Sequence, residues 1–246
     1  YYVNPNQKKF NFKDSKNLVL IYMESYENTF SNKKIFNENL IKKIIDYRED
    51  SIEFDNFIQT PLTNWTVASI VATQCGLPLK NYGIFNFGIK KGKHMRQVFG
   101  LKNFLPNAFC LGDILKLDNY KNVFVSSPNT SFSGTGKFFL DHAYDEVYGK
   151  EKFDELKINY KGSSWGGGPH DSFLFNFSKK KIKEMIIEDQ KFNINILTTD
   201  VHEPQGFLDP NCRYKNNTIN NVIKCSSNEL LQFLIYLEEN YKDKLN

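Results

Sequence analysis

The sequence has no apolar stretch near the roughly 20 residues that a helix needs to cross a bilayer. Its best run, Leu18 to Met23, is strand-length. It has no block of like charge long enough to form a nucleic-acid arm, so the formal charge of +4 is spread through Lys- and Asn-rich segments. The densest cluster, Lys179, Lys180 and Lys181, reads as a solvated helix start. No close C-x-x-C pair occurs, which excludes a zinc ribbon. There is no internal repeat and no linker, and one large domain suits 246 residues. Neither an initiator Met nor a signal-peptide pattern precedes Tyr1, which fits a fragment of a longer, membrane-anchored protein.

What is present is ordinary globular composition, 40% hydrophobic and 24% charged, and this excludes a disordered chain. The four cysteines, Cys75, Cys110, Cys212 and Cys225, allow two disulfides. Cys212 and Cys225 bracket a short polar loop and would form a local staple, leaving Cys75 with Cys110; four buried free thiols are the equal alternative.

Leu18 to Met23 and Phe192 to Thr198 read as strands buried on both faces, and Asn122 to Ser126 as a third. Ser51 to Ile58 reads as another short strand. Helical spacing predicts helices over Asn37 to Tyr47, Val67 to Val71 (capped by Asn64 or Thr63), Leu111 to Leu117, Lys137 to His142, Ser172 to Glu188 and Asn228 to Tyr241. Asn86 to Lys93, Ser131 to Gly136 and Ser163 to Pro169 read as loops. Repeated strand-loop-helix units predict an α/β fold, a mostly parallel sheet with helices on both faces, which binds ligands at the carboxyl ends of its strands. Glu24 and Asp200-Val201-His202 follow strands, and Thr66 opens a helix.

A carboxylate, a hydroxyl at a helix N-terminus and a histidine on one rim suit metal-assisted transfer at phosphorus. Each alone is weak: a Thr at a helix start is ordinarily a cap, a Glu after a strand is ordinarily solvated, and a lone His is ordinarily no ligand. Their surroundings change that weighting. Met23-Glu24-Ser25, Asn64-Trp65-Thr66, Gln74-Cys75-Gly76, Cys110 to Lys116, His142 to Gly149, Trp165 with His170-Asp171, and Asp200 to Phe207 resemble, in the same order, the phosphoglycerol transferases that decorate periplasmic glucans. The strand ending in Met-Glu-Ser is shared with lipoteichoic acid synthases.

The resemblance implies an alkaline-phosphatase-like (sulfatase-type) fold for residues 1–246, incomplete at the C-terminal end, and an extracytoplasmic catalytic domain on the periplasmic face of the bacterial inner membrane. It implies Thr66 as nucleophile, Glu24 and Thr66 as ligands of a divalent ion (Mn, with Mg or Zn as alternatives), and His202 in the substrate pocket with Trp165. It also implies both disulfides. The expected partners are a phospholipid head group and a glycan acceptor, with membrane contact through other segments and no nucleic acid. The expected reaction is phosphoglycerol transfer from phosphatidylglycerol to a glycan through Thr66. Phosphoethanolamine or lipoteichoic-acid-type transfer, and a non-catalytic glycan- or head-group-binding domain, are the alternatives. The missing Cys-x-Pro-x-Arg signature argues against a sulfatase. Two departures stand out. The family's later Asp-His ligand pair has no counterpart, since Asp141-His142 falls in a different region. Lipoteichoic acid synthases also have Trp and Arg where this chain has Ser133 and Thr135, which shifts phosphate recognition to Lys137 or elsewhere.

Overall fold

The computed structural model describes residue 5 and residues 8–48, 51–54, 56, 58–61, 63–79 and 102–245. The expected loop over Asn86 to Lys93 lies outside them. Four strands, β1 (Leu18–Tyr22), β2 (Lys121–Ser126), β3 (Glu146–Tyr148) and β4 (Phe192–Leu197), form one sheet in the order β1-β4-β2-β3. Every pairing is parallel, with Leu18 opposite Asn193 and Lys121 opposite Phe192.

Side chains alternate across a strand, and here each face has its own layer. Val123, Val125, Ile194 and Ile196 pack with Phe175, Met185 and Phe233 from α7 (Asp171–Ile187) and α8 (Ile219–Tyr241). Phe124 and Leu197 pack on the opposite face with Val67, Ile70 and Phe139 from α3 (Thr66–Cys75) and α5 (Thr135–Asp141). On that second face β4 also carries Asn193 and Asn195, both buried. Asn195 Nδ2 donates to Asn193 Oδ1, Asn193 Nδ2 to Asn122 Oδ1, and Gln74 Nε2 of α3 to Asn195 Oδ1. Each such bond contributes about 1 kcal/mol net, and an unpaired member would cost more. The chain of amides thus fixes α3, and with it Thr66, to the central strand.

Several expectations are corrected. Asn37 adopts a left-handed conformation (φ 62°) and ends α1 (Lys33–Phe36), so helix resumes only at α2 (Lys42–Tyr47). No strand occurs among the described residues of 51–58, and Ile52, Phe54 and Ile58 are exposed. β3 and α6 (Lys150–Glu155) were not anticipated. Lys179 to Lys181 sit inside α7, where Lys181 pairs with Glu146 at 2.9 Å. α8 starts nine residues before the expected Asn228, capped by Thr218, whose side chain accepts from Asn221 N.

Both expected disulfides are present, Cys75 with Cys110 and Cys212 with Cys225. Because Cys225 lies inside α8, the second bond ties a loop to a helix rather than closing a loop. Cys75–Cys110 spans 35 residues, and closing a loop of that size stabilises by about 3–4 kcal/mol in the chain-entropy model. Cys110→Ser is expected to lower stability by that order in denaturant titration. Four free thiols in non-reducing mass spectrometry of oxidatively expressed protein would refute the pairing.

Among the described residues β1 is an edge strand. On its outer side the only pairing among the described residues is a single parallel bridge between Asn17 and Leu245. No helix among the described residues is long and apolar enough to cross a membrane.

Candidate active site

Parallel pairing puts the carboxyl ends of all four strands on one rim. Glu24 lies two residues beyond β1, and its backbone N–H donates to Thr198 Oγ1 (3.3 Å) just beyond β4. α3 begins beside it. The helix starts at Thr66 after Trp65, whose side chain makes no capping bond, so neither Asn64 nor Thr63 serves as the expected cap. The first-turn N–H groups therefore keep their capacity for an anion. Gly76, left-handed at φ 65°, closes the helix as only glycine does cheaply. Thr66 Oγ1 donates to Glu24 Oε2 at 2.8 Å, and Ser25 Oγ donates to Glu24 Oε1 at 3.3 Å.

A cavity of about 280 Å³ opens over this pair, lined among others by Glu24, Thr66, Ser126, Ser133, Trp165 and His202. The Trp165 and His202 rings stack, 4.4 Å between centroids and 11° between planes, and Phe132 meets Trp165 edge-on at 5.0 Å. His202 Nδ1 lies 2.9 Å from the Glu203 carbonyl oxygen. A carbonyl can only accept, so Nδ1 carries the hydrogen and Nε2 of the neutral ring is an acceptor. The turn bearing Trp165 reaches the rim because Gly168 approaches Ser127 closely; a Cβ there would sit 1.8 Å from the Ser127 oxygen.

The structure thus gathers Glu24, Thr66, Trp165 and His202 around one cavity. It does not bring Lys137 there: that ammonium pairs with Asp141 at 2.9 Å, one turn along α5. Ser133 and Thr135 do line the cavity. Asp141-His142 lies elsewhere, with His142 buried against Asp113 and the Phe104 carbonyl. Ser126 was not anticipated. It is buried, lines the cavity and has a hydroxyl without a protein partner. The one available signal was its place at the end of a strand. Ser133 adopts φ 51°, an unfavourable conformation for a non-glycine residue beside a cavity.

Behind His202 lies a buried acidic layer. Asp200 Oδ1 is 2.9 Å from His170 Nδ1, and Asp200 Oδ2 accepts from Asp171 N at 3.1 Å. Asp171 Oδ1 in turn accepts from Thr199 N and Asp200 N. These reciprocal bonds fix the turn that presents His202, so Asp200 is occupied with support. Burial pushes the Asp171 pKa well up, with the Asp200 charge adding to it. Burial works against the His170 cation, yet the hydrogen bond and charge of Asp200 raise its pKa on balance. Glu229 of α8 is pushed up to about 10, first by burial and then by Asp171, Asp209 and Asp200.

Glu229 has a consequence for pH. Its folded pKa lies above the ordinary 4.5, so between those values the folded chain holds a proton that the unfolded chain releases, and stability falls as pH rises. Glu229→Gln is expected to flatten that fall and to raise the thermal midpoint at about pH 8. An unchanged pH profile in thermal denaturation would show that Glu229 is ionised in the fold.

The donor set at Glu24 and Thr66 is a carboxylate and a hydroxyl oxygen, the chemistry that a hard divalent cation takes. Among the described residues no third side chain joins them in a ligand cluster. They would supply two oxygen ligands to such an ion.

Phosphoglycerol transferase I of Escherichia fergusonii is 33% identical over 227 residues, which cover 89% of this chain and 28% of that protein. The Citrobacter koseri protein of the same name gives the same figures. A protein in the alkaline phosphatase superfamily from Vibrio parahaemolyticus superposes with a TM-score of 0.68 at 20% identity, covering 94% of this chain and 52% of that one. The fold is that of the alkaline phosphatase superfamily. The lipoteichoic acid synthase LtaP from Listeria monocytogenes shares it, with a TM-score of 0.67 at 18% identity over 91% of this chain and 52% of that chain. No protein-family model matches the chain. In sequence the chain is phosphoglycerol-transferase-like, and it spans about a quarter of the length of these curated relatives and about half that of the alkaline-phosphatase-superfamily structures.

Proposed function

We propose that residues 1–246 act as an extracytoplasmic catalytic domain, on the periplasmic face of the inner membrane, that moves a phosphoglycerol head group from phosphatidylglycerol to a glycan hydroxyl. The observation that carries this reading is the 2.8 Å bond from Thr66 to Glu24 at an uncapped helix start, supported by the sequence relatives named phosphoglycerol transferase I.

Thr66 Oγ1 attacks the phosphorus of the phosphodiester, the bond from phosphorus to the diacylglycerol oxygen breaks, and diacylglycerol leaves with a proton. A glycan hydroxyl then attacks the phosphoglyceryl-Thr66, releasing Thr66 and completing the transfer. Glu24 orients the Thr66 hydroxyl and holds its proton before attack. The first-turn N–H groups of α3 bind the anionic phosphoryl oxygens, where fixed donors act most strongly in a site that excludes water. Trp165 and His202 wall the cavity on the head-group side. A divalent ion held by Glu24 and Thr66, Mn in the first instance, would favour the alkoxide of Thr66.

The test uses phosphatidylglycerol labelled in its head group, with a β-glucan oligosaccharide as acceptor. The expected result is label on the glycan. Label remaining in lipid, with tight retention of the glycan or head group, would overturn the transfer and favour a non-catalytic binding domain, which the two-ligand set at Glu24 also supports.

A further inference from the structure

Away from Glu24 and Thr66 lies a larger cavity, about 740 Å³, that shares no lining residue with the first. Its walls come from the start of α2, the middle of α8 and the loop at 211–214. The Cys212–Cys225 bond ties that loop to α8, so the cavity is held open by a covalent brace.

Its charge is lopsided. Lys42, Lys43, Arg213 and Lys224 all face it. Lys42 is neutralised by Asp46 and Lys224 by Glu38. Arg213 and Lys43 have no carboxylate partner among the described residues; Arg213 donates to the Tyr214 hydroxyl at 2.9 Å, and Lys43 to Asn228 Oδ1 at 3.2 Å. The Tyr214 ring lies 5.0 Å from the Arg213 guanidinium and 5.1 Å from the Lys224 ammonium, which gathers both cations at one edge. The one carboxyl in the wall is Glu229, and one of its oxygens is buried without a partner. Burial and the acidic layer behind keep that carboxyl protonated at neutral pH, so it cancels neither free cation and can donate a hydrogen bond. Two uncompensated cations, side-chain amides and a neutral acid around a volume of small-ligand size match an anion that also carries hydroxyl groups.

We propose that this cavity is a second ligand site, distinct from the Thr66 pocket, that binds a phosphate ester of a polyol or sugar through Arg213 and Lys43. The phosphate lies between the two cations, and its hydroxyl groups pair with the amides. Such a group is carried by a phosphate-substituted glycan or by a phosphoglycerol lipid head group.

Isothermal titration of the chain with sn-glycerol 1-phosphate tests the assignment, with glycerol as the uncharged control. Arg213→Glu and Lys43→Glu are expected each to weaken binding at least tenfold, and both are surface changes whose folding is verified by an unchanged thermal midpoint. Thr66→Ala is expected to leave this binding unaltered. Co-sedimentation with phosphatidylglycerol vesicles, against phosphatidylcholine, separates the sources: recruitment lost in Arg213→Glu assigns the lipid head group, and soluble binding without recruitment assigns the glycan. Equal binding of glycerol, wild-type affinity in both charge-reversal variants, or loss of all binding in Thr66→Ala would overturn the proposal. Failure of head-group transfer would not, because the site stands on its own residues.

Discussion

Thr66→Ala is expected to eliminate the covalent phosphoglyceryl adduct and to lower head-group transfer on the order of a thousandfold or more, since of the hydroxyls lining the cavity only that of Thr66 is held by Glu24 at a helix start. The fold should survive. Thr66 is half-exposed at a helix start whose capping it does not provide, so the thermal midpoint should hardly move. Thr66→Ser keeps the oxygen and loses only the methyl group that restricts its rotamer, and it should retain part of the activity. Glu24→Ala should act on the same step by freeing the Thr66 hydroxyl from its acceptor. Intact-mass and peptide mass spectrometry after exposure to labelled lipid decides the matter: an adduct persisting in Thr66→Ala would place the nucleophile elsewhere.

The second large effect concerns stability. Asp200→Ala removes the acceptor of both His170 and the Asp171 N–H from a fully buried position. Breaking one side of such a pair ordinarily costs about 3–5 kcal/mol. Because Asp200 also repels Asp171, its loss relieves some strain, and about 3 kcal/mol is the expected net cost. The sign with pH follows from His170. Its pKa is raised in the fold, so its contribution is complete below the ordinary value near 6.5 and is lost as pH rises through the folded value. The deficit of Asp200→Ala should therefore be greatest at mildly acid pH and narrow as pH rises. Urea titrations of both proteins across that range measure it, and a deficit below about 1 kcal/mol would mean that the His170 pair is no more than a surface-strength contact.

The sequence exposes those parts of this fold whose signal is local. Leu18 to Met23 and Phe192 to Thr198 are unbroken or alternating apolar runs, and both are strands within one residue of the expected ends. β3 escaped because three residues led by a glutamate carry no period, and α6 because Phe153 alone among its side chains is buried. The stretch from Ser51 to Ile58 misled for the opposite reason: it has strand-like residues, but no neighbouring strand covers them, and strand propensity is chiefly a preference for a half-buried pleated surface. Among the candidate site residues, the gathering of Glu24, Thr66 and His202 around one cavity was legible from their places after strands or at a helix start. Lys137 was chosen for its charge, and charge alone does not report that Asp141 lies one turn away. The support from His170, Asp171 and Asp200 depends on reciprocal contacts between residues about thirty positions apart, which no spacing rule encodes.

The place of β1 at the border of the sheet has its own outcome. Leu18 to Tyr22 is the kind of apolar sequence usually shielded on every side, yet here its outer backbone groups face away from any strand described. Such a border offers N–H and C=O groups that a further strand can pair with. A strand laid there in the same sense as the Asn17–Leu245 bridge would run alongside β1 and finish next to Glu24. Whatever seals that border therefore also becomes a neighbour of the Glu24–Thr66 pair, and closing the sheet and furnishing the rim are a single event.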